Sequence, residues 1–265
     1  MIYAFSTLHR PYSVHAQTTQ PLPFRVRIAR DDKDLCRAAA VRALAYGRRV
    51  PGMDDMLSAP EPDDRRPDAV VLIAEAKDNG DVLGSLRMTT NLQQPLHMEH
   101  ELTLPDVFRG RVLLEAGRLT VRSTPEARMV SSALYKALYE VSFHAGIDEV
   151  LVTARSPVDR IYRAMQFRDA LDGRKIALPS VLNLPHGLYH LPVRDADALW
   201  RAAECPMYPF MAQTHHPDIE IDHDVVHRRF HASGEERLMV SGGQPESDHH
   251  AQPSLLANRE ADRVC

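Results

Sequence analysis

The chain of 265 residues carries 32 Lys and Arg against 36 Asp and Glu, a formal charge of −4, which argues against non-specific nucleic-acid binding as a main activity. Its 44% apolar content suits one large domain with tails, and no apolar run approaches the roughly 20 residues that span a bilayer. The N-terminus, MIYAFSTLHRPYSV, lacks the basic start and apolar stretch of a signal peptide, and Cys36, Cys205 and Cys265 form no CxxC pair, which points to reduced thiols and a cytoplasmic protein.

Residues 1–23 are rich in Gln, Thr and Pro and are expected to be irregular. Phe24 to Ala29 (FRVRIA) alternates apolar and basic residues, as a half-buried strand does. Asp31 is placed to cap a helix that runs to Tyr46 and stops at Gly47. Residues 47–68 form a polar loop longer than a compact domain usually tolerates, so the loop is either mobile or functional. Val70 to Ala76 and Val82 to Thr89 predict a hairpin around Asn79-Gly80. Leu113 to Val121 predicts a strand, Ser131 to Ala145 a helix closed by Gly146, and Glu149 to Ala154 another strand. Val158 to Met165 follows as a helix, Gly187 to Pro192 as a late strand, and Asp195 to Ala203 as a short amphipathic helix. From residue 223 to 265 the composition is polar and His-rich, with too little apolar surface to repay ordering, so residues 24–222 are expected to form the domain. The order of elements predicts an α/β (α+β) protein with a mixed central sheet and helices on both faces.

Several positions break the local pattern. Gly117 interrupts a good strand, which suggests a bulge. One extra residue there would bring Glu115 and Arg118 to the same face and free backbone N–H groups for an oxyanion. The alternative is a glycine that lets a helix approach, with Glu115 and Arg118 as a structural ion pair. Glu115 is flanked by Leu113, Leu114, Leu119 and Val121, so its desolvation should raise its pKa. Arg42 falls in the middle of the apolar arc of the first helix, where a charge is either paired or reaches solvent past small alanines. Arg87, alternating with Leu86 and Met88, faces away from them and is suited to a carboxylate.

The series formed by Arg87 in LGSLRM, Glu115 and Arg118 in EAGRLTV, the stretch from Gly146-Ile-Asp to Phe167, Asn183-Leu-Pro-His186 and Trp200 through HPDIEID resembles the GNAT acyltransferase superfamily. Within it, the chain resembles the FeeM-type N-acyl amino acid synthases and their relatives, the acyl-homoserine lactone (autoinducer) synthases, over about residues 24 to 222. The resemblance implies a GNAT (acyl-CoA N-acyltransferase) fold and an N-acyltransferase that moves a long acyl chain from a thioester to the amine of an amino acid or another small primary amine. The desolvated Glu115 is the candidate base, directly or through water, while its match in the autoinducer synthases serves substrate deprotonation or acyl binding. Tyr162 lies where many GNAT enzymes place the acid for the leaving thiolate, and Arg42, Arg87 and Arg118 are the expected substrate-binding groups. Alternatives are an acyl-homoserine lactone synthase, an acyltransferase on an exported polymer, and a non-catalytic acyl-binding protein.

Acetyl-CoA-dependent members of the superfamily cradle a diphosphate on a glycine-containing loop before the central helix. The matching stretch here, Glu126-Ala-Arg-Met-Val-Ser131, lacks both glycines, and Glu126 would repel a diphosphate. The donor expected is therefore acyl-phosphopantetheine on an acyl carrier protein, with no permanently bound cofactor and no metal. Between Arg109 and Lys175, Lys and Arg outnumber Asp and Glu by twelve to eight. The arginines expected to meet the acidic carrier are Arg122, Arg128, Arg155, Arg160 and Arg163, and Ser131 joins Arg122, Arg128, Arg160 and Arg163 in the expected donor- and carrier-binding set.

Overall fold

The computed structural model describes residues 18–231. In chain order the strands and α-helices are β1 (Thr18–Thr19), β2 (Phe24–Ile28), α1 (Asp32–Gly47), α2 (Met53–Met56), β3 (Val70–Ala76), β4 (Val82–Thr90), β5 (Leu113–Val121), α3 (Ala127–His144), β6 (Glu149–Ala154), α4 (Asp159–Ala164), β7 (Arg168–Asp169), β8 (Ile176–Leu178), β9 (Leu184–Pro192), α5 (Ala196–Ala202), β10 (Thr214–His215), β11 (Ile219–Glu220) and α6 (His223–His231). Nine strands form one sheet in the order β11-β2-β3-β4-β5-β6-β9-β7, with β8 paired to β9. The sheet is mixed: β2 to β5 are antiparallel neighbours, β5 and β6 run parallel, and β9 returns antiparallel to β6.

The long central strands are apolar on both faces because both faces are covered. Val70, Leu72 and Ala74 of β3 pack with Ala133, Leu134 and Ala137 of α3. The alternate residues Val71 and Ile73 pack with Ala38 and Val41 of α1 on the other side. A third cluster lies on the α1 side under the 91–112 segment, where Met98 and Phe108 meet Leu113 and Leu151. Close approach of α3 depends on Gly84, where an added Cβ would lie 2.8 Å from the Thr120 carbonyl oxygen and 2.9 Å from a Val130 methyl.

Local signals in the chain match these elements closely. Asp31 accepts the Asp34 N–H at 2.9 Å and caps α1. Gly80 and Gly146 take positive φ at the hairpin turn and after α3. Helix α3 begins four residues earlier than expected, since Met129 and Val130 continue its apolar face onto the sheet.

The boundary expected at residue 222 is not where the fold ends. Helix α6 places Val226 and Phe230, one turn apart, in the main core with 1% and 0% exposure. Two apolar residues at the right spacing suffice to dock a short helix whose other positions are polar. The rest of the polar 223–265 stretch, beyond residue 231, falls outside the described residues. Among the described residues, no helix is long and apolar enough to cross a membrane.

Candidate active site

Strands β5 and β6 are paired only from Leu113–Glu149 to Glu115–Leu151. Beyond Glu115, β5 follows β4, and β6 follows β9 as far as Ala154. The two strands part, and a cavity of about 810 Å³ opens between them, lined by Ala116 to Thr124 on one side and Thr153 to Val158 on the other. The edge of β5 past Glu115 thus has backbone groups without a β6 partner, facing space that an extended ligand can fill.

The expected bulge is present. Ser85 pairs with Thr120 and Arg87 with Gly117, so β5 carries one residue more than β4 over this stretch. The residue that absorbs it is Arg118 itself, at φ +55, and not Gly117. A left-handed conformation costs a non-glycine residue roughly 1–2 kcal/mol, so it persists only where other contacts hold it. Gly117 does not admit a helix either; a Cβ there would meet nothing within 4 Å.

Glu115 and Arg118 both line the cavity, yet they are not each other's partners. Arg118 donates from Nε and Nη2 to Glu61 at 2.7 and 2.6 Å. Glu115, 9% exposed, accepts the Met98 N–H at 3.0 Å. Burial pushes the Glu115 carboxyl above its ordinary range, and the Met98 N–H, His97 and Arg87 only partly offset it.

The arginines converge on the turn Pro62–Arg65 within the long 47–68 segment. Arg42, fully buried, donates from Nη1 to both Asp64 oxygens at 2.7 and 2.6 Å. Arg87 Nη1 reaches Glu61 at 3.1 Å. Burial raises the Glu61 pKa, but the Arg118, Arg87 and Arg42 guanidiniums outweigh it and hold it at about 2. Asp63 is also held at about 2, chiefly by the His97 Nδ1 that meets it at 2.7 Å. His97 and Met98 sit on the next segment, where Glu99 accepts the Leu96 N–H at 2.7 Å and closes a short turn.

Arg42 does not line the cavity; it braces Asp64 beneath it. Arg87 does line it, although Glu61 occupies its Nη1. Its Nη2 is 3.7 Å from Asp63, beyond hydrogen-bond distance, and remains available to a ligand. Tyr162 lines the cavity edge-on to Tyr135, with its phenol pKa raised by burial.

The expected carrier-binding set divides. Arg122 and Ser131 line the cavity, with Arg122 also 3.0 Å from Asp81. Arg128, Arg160 and Arg163 do not, and Arg163 turns to Asp169 and the Tyr189 hydroxyl. Arg155, expected with that set, also lines it, and so do Arg48 and Arg49, which no local pattern marks.

Glu61, Asp63, Asp64 and His97 were not singled out from the sequence. The unusual length of the 47–68 loop was the one available signal for the first three. No local pattern marks His97.

A family model for the N-acyl amino acid synthase FeeM matches residues 38–192. Comparison with curated protein sequences gives no match. Among solved structures, FeeM, an N-acyl amino acid synthase from uncultured soil microbes, superposes with a TM-score of 0.54 at 15% identity, covering 71% of this chain and 98% of that one. BjaI, a CoA-dependent acyl-homoserine lactone synthase with SAM and isopentyl-CoA, superposes with a TM-score of 0.51 at 14% identity, covering 78% of this chain and 98% of that one. At these identities the superpositions speak for the GNAT-type fold, and the family match speaks for the chemistry: the chain belongs to the FeeM N-acyl amino acid synthase family and is an N-acyltransferase.

Proposed function

We propose that this enzyme moves a long acyl chain from the phosphopantetheine thioester of an acyl carrier protein to the amine of an amino acid. The observation that carries the reading is Glu115, sealed from solvent beside a cavity that opens between parted strands. An amino acid arrives as an ammonium ion and must lose a proton before its nitrogen can attack. A carboxyl with a pKa raised by burial is a suitable base for that step.

The thioester arm fits the gap between β5 and β6 as an added strand would, its amides meeting the unpaired edge of β5. The bulge at Arg118 leaves N–H groups free of the β4 ladder for the oxyanion. Nitrogen attacks the carbonyl carbon, the C–S bond breaks, and Tyr162, which lines the cavity, is the proposed donor of a proton to the departing thiolate. With a thiol pKa of about 8.5 the sulfur leaves readily, so this contribution is modest. Arg87 Nη2 is the donor left for the carboxylate of the acceptor.

A carrier as donor is supported by the absence of glycines between Glu126 and Ser131 and by the charge around the cavity. Arg48, Arg49, Arg122 and Arg155 line it, and exposed Leu44 and Ile161 lie among them. An acidic carrier meets such a surface with favourable electrostatics.

The test is initial rates with the same acyl group on carrier protein and on CoA, at low and high salt, across a panel of amino acids, with products identified by mass. The expected result is an N-acyl amino acid formed more efficiently from the carrier. That preference should weaken as salt shortens the Debye length below about 10 Å, its value at 0.1 M. Reversing Arg48 and Arg49 to Glu should raise the KM for the carrier alone. Equal efficiency, or no salt dependence, would overturn the carrier as donor; a lactone product would overturn the amino acid as acceptor.

A further inference from the structure

Acyl transfer to an ammonium ion leaves one proton over. The nitrogen sheds two protons as the C–N bond forms, the sulfur takes up one as the C–S bond breaks, and the other must reach solvent. Glu115 can draw a proton from the ammonium. It is 9% exposed and held by the Met98 N–H, so it is badly placed to release one. Each turnover therefore calls for a group in touch with both the cavity and bulk water.

His97 occupies that position. Its Nδ1 lies 2.7 Å from Asp63, a carboxylate held ionised well below neutral pH, so in the neutral ring the proton sits on Nδ1 and the lone pair on Nε2. Nε2 is buried and has no hydrogen-bond partner among the described residues, a state that a polar atom sustains when substrate or water completes it. Nevertheless 29% of the side chain is exposed, and the ring lines the cavity. Its chain neighbour Met98 is the residue that holds Glu115. The charged groups that face the ring are Asp63 from the 62–65 turn, Glu115 from β5 and Arg87 from β4. The two carboxylates favour the imidazolium and the guanidinium opposes it.

We infer that the Asp63–His97 pair carries the surplus proton of acyl transfer from Glu115 to solvent. The inference rests on the reading of Glu115 as the base. His97 accepts the proton on Nε2, shares the positive charge with Asp63, and gives the proton up from Nε2 to water that enters the cavity, returning to the neutral ring. Asp63 acts as a positioning residue that keeps Nε2 turned inward.

The experiment compares H97Q, D63N, E115Q and the parent enzyme at low buffer concentration, then with increasing imidazole. H97Q is expected to lower kcat by about a hundredfold, the low end of what a general acid–base group contributes, with the KM for the acyl donor unchanged. Imidazole should restore its kcat in proportion to concentration while leaving the parent enzyme unaffected, a response that a purely structural role for His97 would not produce. An H97Q kcat equal to the parent's, or a reduced kcat that no imidazole concentration changes, overturns the relay.

If H97Q does not fold, D63N carries the test. Losing the carboxylate lowers the His97 pKa, so the pH at which kcat rises should move down, and an unmoved limb overturns the relay. E115Q separates the two readings: full activity in E115Q removes Glu115 as the base and the relay with it. Inactive E115Q beside a fully active H97Q removes the relay alone.

Discussion

Arg118 and Glu61, 57 positions apart in the chain, meet in a two-point ion pair, Nε to Oε2 at 2.7 Å and Nη2 to Oε1 at 2.6 Å. The pair ties the bulge of β5 to the turn that covers the site, and it holds Arg118 in its left-handed conformation. Removing one partner strands the other in a largely desolvated place. Arg118→Ala should therefore destabilise the protein by about 3 kcal/mol, within the range for a broken buried pair. For a chain of this size that lowers Tm by roughly 6–12 °C, at about 2–4 °C per kcal/mol. A Tm within a degree or two of the parent's would show that Glu61 finds other partners.

Glu115→Gln should separate stability from activity. Gln keeps an acceptor for the Met98 N–H and removes a carboxyl that burial penalises when charged. Because its folded pKa is raised, Glu115 favours the folded state less as pH climbs past the unfolded value, and the variant escapes that loss. At pH 7 its Tm should equal or exceed the parent's, while kcat falls by about two orders of magnitude or more. Substantial activity with an unchanged melting curve would exclude Glu115 from proton transfer.

Acid should open the site in a defined window. Glu61 and Asp63 have folded pKa values of about 2, below their ordinary 4.5 and 3.8. Depressed carboxyls stabilise above the unfolded pKa and lose that contribution as pH falls through the folded one. Stability should thus decline from about pH 5 towards pH 2. Glu61→Gln, measured by denaturant titration across that range, should flatten the slope. An unaltered slope would mean that Glu61 is not held down by Arg118.

Two glycines should respond in opposite ways. Gly84→Ala forces a Cβ against the Thr120 carbonyl and Val130, so α3 must shift and Tm should drop. The cost expected is about 1–3 kcal/mol, as for overpacked cores. Gly117→Ala meets nothing within 4 Å and should leave Tm unchanged while its methyl group enters the cavity and raises KM. Thermal melts of the two variants side by side check the contrast.

Phe230→Ala tests the last helix. The side chain is fully buried in the main core, so truncation should cost about 3–5 kcal/mol. A loss below about 1 kcal/mol, the usual scale of a surface change, would mean that α6 is only loosely attached.

Local order was legible in the chain because its causes are local. Alternation gave β2, the capping carboxylate of Asp31 gave the start of α1, and Asn79-Gly80 marked the hairpin. The break at Gly117 announced the bulge, and the apolar neighbours of Glu115 announced its burial and raised pKa. Partner choice was not legible. Arg118 sits three residues from Glu115 but pairs with Glu61, because the bulge turns the guanidinium toward a segment that only the folded sheet brings near. Arg42 was marked by its place on an apolar helix face, whereas Asp64, which neutralises it, lay unmarked in a polar loop. Val226 and Phe230 could be read as core only once α3 supplied a surface for them. Propensity, capping and periodicity act over a few residues and are written in order along the chain. Ion pairs and cavities depend on which distant segments share a desolvated volume, and that is decided by the packing of α1, the 47–68 segment and the parted strands β5 and β6.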